Sequence, residues 1–521
     1  MYSKSNDASY TFEEALQIAG QGKFQRKVTL VGGLIAMASF ISVGTVSFIM
    51  TAAQCDLRMD SIQKGTLISA GFIGMILSCH MWGFLSDTKG RRFILLRCLT
   101  MDGIMYILSS FMPSYKLLLI MRFIHGFVIC GSIVPCYPYI GEFHTNQYRS
   151  KALLIVSLIA CMSNFYQPGL SILVNLSPWR IELLPSLVYK PWRLFYALSG
   201  IPSLISAALL FTLPESPMFL LANGDQQTAI KILSNIHNIN SSGNKNKQEF
   251  LVKNLIIEGN SVVNKVNNSN KNKTSMFFHS IWEQTVPLTR KPYRLKIILI
   301  TSLQFLLFLS NNCIFLWVPE TINRIGIYHR DQDAKSITFC EIVQTFDYKN
   351  TSTDDNFGRF GNSTNTSLPS RYDEAATICS EEKINSAVYW TVSVSGSMIM
   401  ICLVMIHFAA RMMGKKLIVG TTIFCALISI SLLLFTGNPY LIISEMCFFM
   451  MVSAAATQVV LYTVVDLFPT KIRSMAVCLA IMCSRFGSIT SNQVSGALID
   501  NYCSSILIIM LACLSVCLVI T

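Results

Sequence analysis

Two long apolar stretches of this sequence contain three ionisable side chains that are candidates for chemistry. Asp102 is midway along the stretch 93–112, and Arg122 and His125 are about one helical turn apart in the stretch 117–140. A charge within a membrane-spanning helix costs roughly 2.5–3.5 kcal/mol on insertion scales, so it needs a partner or a function. These residues are therefore candidates for binding a charged solute or a coupling ion. The alternative is a static ion pair that only fixes helix packing.

Later apolar stretches carry further polar candidates: Asn311 and Asn312 in 295–318, Glu445 in 440–463 and Arg485 in 474–496. For amides, hydrogen bonding between neighbouring helices is the alternative to solute binding. A single charge is harder to explain in that way, which favours Glu445 and Arg485. Glu445, however, lies near one end of its stretch, where water can reach it.

Twelve membrane-spanning helices are predicted to position these residues. Hydrophobic residues make up 52% of the 521-residue chain and charged residues only 13%, whereas a soluble protein has about 25% charged residues. A helix of about 20 apolar residues crosses a hydrocarbon core of roughly 30 Å. The predicted spans, numbered 1 to 12 in chain order, are 28–51, 66–85, 93–112, 117–140, 152–175, 193–213, 295–318, 385–408, 417–436, 440–463, 474–496 and 504–521. The sequence therefore predicts an all-α membrane protein.

The distribution of charge predicts the topology. A formal net charge of +13 could indicate nucleic-acid binding, but Lys and Arg concentrate in alternate short loops, which is the pattern of cytoplasmic loops. We therefore expect no nucleic-acid partner, and both termini in the cytoplasm. The predicted division is a cytoplasmic N-terminus (1–27), a first half (28–213), a cytoplasmic central loop (214–294) and a second half (295–521) that contains a large non-cytoplasmic loop (319–384).

The non-cytoplasmic loop is expected to be glycosylated, because it carries Asn-x-Ser/Thr sequons. These sequons are Asn350, Asn362 and Asn365. Cys340 and Cys379 share the loop and could form a disulfide there. Cys55 and Cys503 are also near the predicted outer face, so the pairing stays open.

Two charged loops recur at a fixed offset. A shift of 324 residues places Gly90-Arg91-Arg92 on Gly414-Lys415-Lys416, and it places Glu142 and Arg149 on Asp466 and Arg473. Two independent motifs at one offset indicate a duplication, so we predict two pseudo-symmetric halves of six helices. The match fails at Asp87, which falls on Arg411.

The loop from Gly83 to Arg92 resembles the signature loop between helices 2 and 3 of the major facilitator superfamily. The segment Pro214–Gly224 is similar to the motif after helix 6 of its sugar and organic-ion porters, with Met218 where the porters usually have Arg. The segment Asp466–Arg473 is similar to their loop after helix 10. Together these motifs imply a major facilitator fold.

Other segments narrow the resemblance. The N-terminal Thr11–Phe24, the segment Leu316–Glu320 and the long glycosylated loop resemble the synaptic vesicle glycoprotein 2 family. That family often carries acids in helix 1, where this chain has Ser39 and Ser42. In related porters the arginine at the position of Arg122 pairs with such an acid. We therefore expect Asp102 to have become the partner of Arg122, or Arg122 to face an anionic substrate.

The resemblance also implies a gate at the cytoplasmic side. Ion pairs between the two halves would form there when the protein opens outward and break when it opens inward. The residues assigned to this motif and gate are Gly83, Asp87, Gly90, Arg91, Arg92, Glu142, Arg149 and Glu215 in the first half and Arg411, Asp466 and Arg473 in the second. The alternative is that these charges only anchor the topology. In sugar porters, amides on helix 7 bind hydroxyl groups, which favours Asn311 and Asn312 as solute ligands.

The function implied by the resemblance is secondary active or facilitated transport of a small organic solute across a lipid bilayer, by alternating access, with or without a coupling ion. No phosphate-binding loop, metal-ligand spacing or catalytic constellation is visible, so we expect no enzymatic activity, cofactor or metal. The alternative is a transport-silent trafficking or receptor protein built on a transporter scaffold. Plasma membrane and intracellular vesicle membrane both remain open.

Overall fold

The protein folds into a bundle of long helices. The structure is a computed structural model and describes residues 9–174, 179–184, 187–242, 250, 252, 254–256, 286–331, 338–344, 386–412, 414–468 and 470–521. Side chains at some positions inside these ranges, including those of Arg411, Asp466 and Arg473, lie outside the description.

All twelve predicted spans are helical. Spans 1 to 12 are Lys23–Ala52, Ser61–Lys89, Arg91–Ser110, Tyr115–Gly141, Asn146–Val174, Pro191–Phe211, Tyr293–Gly326, Ser386–Met412, Lys415–Leu433, Pro439–Leu467, Thr470–Leu498 and Cys503–Ile520. In the described part of the chain, eleven of them contain a segment long and apolar enough to cross a membrane. The helix outside this set is span 11, which carries Arg485, Asn492 and several serines. The twelve-helix prediction is confirmed.

Local sequence determines where several spans begin and bend. Asp60 starts span 2, since its carboxylate accepts a hydrogen bond from the backbone N–H of Gln63 at 2.6 Å. Span 5 consists of the helices Asn146–Cys161 and Ser163–Val174. Span 6 is broken before Pro202, between Pro191–Leu198 and Ile201–Phe211. Proline favours the first turn of a helix, because it has no N–H for a helical hydrogen bond.

Glycines bring helices of the first half unusually close together. A Cβ atom added to Gly74 of span 2 would lie 2.2 Å from the backbone oxygen of Phe123, and one added to Gly126 of span 4 would lie 2.0 Å from the oxygen of Gly71. Neither contact is sterically allowed, so only glycine permits this packing of span 2 on span 4.

We call the two ends of the bundle inner and outer, with inner denoting the side that the charge pattern predicts to be cytoplasmic. The two halves meet closely at the outer ends of spans 2 and 11. A Cβ atom on Gly65 would lie 2.4 Å from the backbone oxygen of Asn492, and one on Gly496 would lie 2.6 Å from that of Ser61. Span 5 also packs against span 8. The outer side is therefore closed between the halves.

The inner side of the first half is covered by polar-loop segments that fold onto one another. Helix Phe12–Ala19 packs against helix Gln226–Ser241, and strand Ser9–Thr11 pairs in parallel with Asn254–Ile256. Buried Leu16, Leu233 and Ile236 belong to the core between them.

The predicted Cys340–Cys379 pairing is not the one in the structure. Cys340 is bonded to Cys503 at the start of span 12, and Cys379 lies outside the described residues, as do Asn350, Asn362 and Asn365. The reason is placement: segment 338–344 lies on the second half, where the backbone N–H of Phe339 donates to the oxygen of Thr436 at 3.2 Å. The disulfide anchors this segment on the outer side.

Candidate functional site

The inner loop after span 2 is built around a carboxylate from the end of span 6. Glu215 accepts hydrogen bonds from the backbone N–H groups of Arg92 at 2.9 Å and Phe93 at 3.3 Å. It thereby caps span 3, whose first N–H groups lack helical partners. Gly90 has φ +107°, and a Cβ atom there would lie 2.5 Å from a Glu215 oxygen. The motif glycine is needed both for this turn and for the close approach of Glu215.

Beside this cap, Arg91 forms an ion pair with Glu142, and Ser216 donates its hydroxyl to Glu142 at 2.5 Å. Asp87 is 3.9 Å from Arg91 and mostly exposed, so it adds little to the cluster. Burial of Glu142, only partly offset by Arg91 and Ser216, raises its pKa to about 7. This carboxyl therefore titrates near neutral pH.

The motif charges of the first half contact groups of that same half. Arg149 donates to the backbone oxygens of Gly141 at 3.1 Å and His144 at 3.4 Å, and Gly83 faces Val134 of span 4. The side chains of their predicted partners Arg411, Asp466 and Arg473 lie outside the description. Pairing across the inner mouth stays a prediction.

A second cluster lies within the membrane-spanning part of the first half, around Asp102 of span 3. His125 Nε2 of span 4 is 2.5 Å from Asp102 Oδ1, and Ser203 of span 6 donates to Oδ2 at 2.5 Å. Ser42 of span 1 donates to both carboxylate oxygens, at 3.2 and 3.1 Å. One acid thus joins four helices. Asp102 and His125 are both fully buried.

The expected Asp102–Arg122 ion pair is replaced by the Asp102–His125 pair. Arg122 donates instead to backbone oxygens of span 1, at 2.8 Å to Ser42 and 3.2 Å to Val43. The physical reason is reach. His125 lies one turn further along span 4, level with Asp102, whereas the Arg122 side chain extends past Gly71 onto span 1. Arg122 therefore contacts span 1 through two backbone oxygens, and its binding of an anionic substrate stays a prediction.

The outer side contains a buried ion pair that joins the two halves. Lys64 Nζ of span 2 lies 2.7 Å from Glu320 Oε1 of span 7. Lys64 is 1% exposed and Glu320 2% exposed. Gln54 accepts a second hydrogen bond from Lys64 at 2.9 Å. In an ion pair so far from water each charge needs the other, because a single uncompensated charge there would be strongly destabilising.

Arg324, one turn after Glu320, extends this pair into a network that we call the outer clasp (Lys64, Glu320, Arg324 and Asp500). Its guanidinium lies 3.1 Å from Glu320 and 2.9 Å from Asp500. It also donates to Ser61 of the first half at 3.3 Å and to the oxygen of Val343 at 3.3 Å. The outer clasp therefore joins span 2, span 7, the loop between spans 11 and 12, and the segment held by the Cys340–Cys503 disulfide.

The amide side chains of span 7, the first helix of the second half, are the next candidates. Asn312 donates to Ser488 of span 11 at 2.7 Å, which is a bond between helices. Asn311 Oδ1 and Gln304 Oε1 are buried oxygens that have no hydrogen-bond partner in the described part of the chain. A buried acceptor without a partner loses about 1–3 kcal/mol of hydration, so these oxygens are suited to a donor from a ligand.

The two single charges of the second half have different surroundings. Glu445 accepts from Thr436 at 3.0 Å near the outer end of span 10, which places it away from the bundle centre. Arg485 lies midway along span 11, with its guanidinium 5.6 Å from the ring centre of Phe72 of span 2. Among the described residues it forms no ion pair with a carboxylate. Arg485 thus places a positive charge at the boundary between the two halves.

A comparison with protein families assigns this architecture. The family described as "Sugar (and other) transporter" matches residues 28–346, more than half of the chain. The chain belongs to this family. It is a multi-pass membrane protein with the major facilitator fold, as the sequence predicts.

Among curated relatives, this sugar-transporter family member is similar to synaptic vesicle glycoproteins. It is 25% identical to synaptic vesicle glycoprotein 2B of Mus musculus over 63% of the chain and 49% of the relative. It is 30% identical to synaptic vesicle glycoprotein 2C of Mus musculus over 44% of the chain and 32% of the relative. The matched region thus spans half or less of these relatives' lengths.

The similarity to solved structures concerns the fold alone. The xylose transporter XylE from E. coli, in a partially occluded inward-open conformation, superposes with a TM-score of 0.63 at 14% identity, covering 95% of this chain and 98% of that chain. The nucleoside transporter NupG superposes with a TM-score of 0.55 at 13% identity, covering 94% and 98%.

The outer clasp was missed by sequence reasoning. Lys64 lies two residues before predicted span 2 and Glu320 two residues after predicted span 7, so both counted as loop residues. The helices of this family member extend beyond those limits and bury both charges. The sequence contained a signal for this pair, because a Lys and a Glu at equivalent depths of two apolar helices are expected to form an ion pair.

Proposed function

We propose that this protein is a secondary transporter that moves a small organic solute across a membrane by alternating access between its two halves. The observation that carries this proposal is the Lys64–Glu320 pair, which closes the outer side between the halves. The ion pairs described at the inner motif loops remain within the first half. Such an arrangement suits a state that is closed outside and that opens outward when the outer clasp breaks.

The proposed solute carries hydroxyl groups, a negative charge or both. Asn311 Oδ1 and Gln304 Oε1 supply acceptors for hydroxyl donors, and Arg485 supplies a cation near mid-membrane. Family membership and the similarity in fold to XylE, a xylose transporter, support the hydroxylated part of this proposal. Neutral sugars, polyols and hydroxy-carboxylates are thus the first solutes to test.

For topology, we propose that both termini are cytoplasmic and that the loop 319–384 faces the outside or a vesicle lumen. The positive charge of the inner loops supports this orientation. The Cys340–Cys503 disulfide supports it as well, because disulfides persist in oxidising compartments.

The test is uptake into proteoliposomes that contain the purified protein, measured for a panel of labelled neutral sugars, polyols, hydroxy-carboxylates and amino acids. The panel is run with and without a pH gradient. Saturable uptake of one class, absent from protein-free vesicles, is the expected result. Uptake of no member of the panel would overturn the proposal in favour of the transport-silent trafficking or receptor protein.

A further inference from the structure

The Asp102–His125 pair has features that helix packing alone does not explain. Two titratable groups lie 2.5 Å apart at 0% exposure, in a chain whose span 1 has no ionisable group between Val28 and Ala52. His125 Nδ1 is buried and has no hydrogen-bond partner within the described residues. A packing contact between these helices would need neither group, since polar residues inside a membrane are expensive and usually functional.

The groups around the pair can adapt to a change in its proton count. Ser42 contacts the pair from span 1 and Ser203 from span 6, Thr45 of span 1 bonds the Tyr106 hydroxyl, and hydroxyls can both donate and accept. Tyr106 of span 3 lies edge-on to the His125 ring at 4.5 Å, and Tyr196 of span 6 packs on Tyr106.

Arg122 of span 4 is the charged group near the pair, and Cys98 of span 3 is the neighbouring thiol. With Asp102 ionised and His125 neutral, the charge of Arg122 balances that of Asp102. One added proton gives the cluster a net charge of +1. The cluster therefore has two protonation states that differ by one charge. The site is poorly hydrated, so its dielectric constant is low and the electrostatic interactions of that charge are strong.

We propose that the Asp102–His125 pair is a proton-binding site that couples a pH gradient to the movement of span 1. This inference rests on the proposed transport function and names its coupling ion. The pair takes one proton from water on one side of the membrane, holds it between the carboxylate and the imidazole, and returns it to water on the other side. No bond other than those to this proton forms or breaks.

The link from the proton to the movement is the hydrogen bond of Ser42. With Asp102 ionised, Ser42 donates to a full negative charge, and such bonds are about twice as strong as neutral ones. Uptake of a proton by the pair weakens this bond, which leaves this part of span 1 attached through other contacts, including those with Arg122 and Gln167. Span 1 packs against the outer part of span 7, which carries Glu320 of the outer clasp. Weaker attachment of span 1 at Asp102 thus weakens the outer closure.

The first experiment needs no solute. Hydrogen–deuterium exchange of peptides from the outer ends of spans 2 and 7 is measured from about pH 5.5 to about pH 8 and corrected for the chemical exchange rate, because the charge of histidine side chains changes in this interval in general. The native protein should show a pH-dependent change with a single midpoint. Asp102→Asn and His125→Gln should abolish it. The matched control Ser206→Ala, one turn from Ser203 and bonded to the backbone of Pro202, should retain it.

The second experiment uses any solute that the uptake panel identifies and separates coupling from structure. Asp102→Asn should lose accumulation driven by a pH gradient but keep counterflow, the exchange of labelled for unlabelled solute. The exchanged pair Asp102→His with His125→Asp should restore accumulation. Equal loss of both activities in properly folded single variants, or a native exchange profile without pH dependence, would overturn the proton site. A panel without any transported solute would overturn the transport function instead, and the first experiment would still decide the proton site.

Discussion

Lys64→Met should shift the equilibrium between outer-closed and outer-open states, because it removes a contact that exists only when the halves meet. The Lys64–Glu320 distance is 2.7 Å, and both residues are almost completely buried. Removal of one partner of a fully buried pair costs about 3–5 kcal/mol. Here Arg324 still lies 3.1 Å from the same Glu320 oxygen, so Glu320 is not left unpaired. The loss should therefore be nearer that of one hydrogen bond to a charged group, about 1.5–3 kcal/mol.

That free energy corresponds to a change of roughly 10- to 150-fold in the ratio of open to closed states. Ser69 of span 2 is a suitable reporter, because its side chain is fully buried and donates to the backbone oxygen of Ile489 of span 11 at 3.4 Å. In a Ser69→Cys protein, the labelling rate with a membrane-impermeant thiol reagent measures the open fraction. The rate is taken as the difference from the same protein without this cysteine.

The matched control is Lys190→Met. Lys190 forms an ion pair with Asp56, also on the outer side, but both residues belong to the first half. It should leave the labelling rate unchanged. Glu320→Gln and the double variant with Lys64→Met complete a cycle, in which the two effects should be non-additive by about 0.5–3 kcal/mol. If Lys64→Met and Lys190→Met label at the same rate in natively folded protein, the outer clasp does not hold the halves together.

Three further predictions concern the inner cluster, the disulfide and the solute. Burial raises the pKa of Glu142 to about 7 from an ordinary value of 4.5, so its contribution to stability is present below pH 4.5 and lost as pH rises through 7. Glu142→Gln should therefore reduce the dependence of the melting temperature on pH over this interval. An unchanged dependence would contradict the assigned burial. Cys503→Ser and Cys340→Ser should lower stability equally, by about 2–5 kcal/mol, whereas Cys379→Ser should have no effect; a loss of stability in Cys379→Ser and none in Cys503→Ser would restore the Cys340–Cys379 pairing. Arg485→Gln should reduce uptake of an anionic solute at least about tenfold, the equivalent of about 1.4 kcal/mol, and leave uptake of a neutral sugar intact. Arg485→Lys keeps the positive charge and should leave uptake of both solutes intact.

The apolar runs and the internal repeat of the sequence predicted the fold correctly. Apolar runs of membrane-spanning length located all twelve spans, because a helix in lipid must satisfy its backbone internally and present apolar side chains over a fixed thickness. The offset between Gly90-Arg91-Arg92 and Gly414-Lys415-Lys416 indicated the two halves. Span ends were less well located, since helices continue past the apolar core, and this error hid Lys64 and Glu320.

The pairing of side chains could not be read from spacing. The sequence predicts Asp102, Arg122 and His125 as candidates, yet of its two alternatives for Arg122 the ion pair with Asp102 is wrong, because His125 takes that place. The choice depends on the relative height and rotation of spans 3 and 4, which the glycine contacts of span 2 with span 4 help to set. The disulfide shows the same limit, because only the position of segment 338–344 on the second half selects Cys503.

The sequence by itself determined the class of protein, the number of spans, the duplicated halves and several of the charges that lie within the spans, because burial in lipid imposes a composition that local residues alone reveal. Tertiary structure decided which of these charges meet. It placed His125 rather than Arg122 beside Asp102, and it joined Lys64 to Glu320 across 256 residues of chain. Ion pairs act over a few ångströms, so they follow the packing of whole helices and leave no periodic trace in the order of residues.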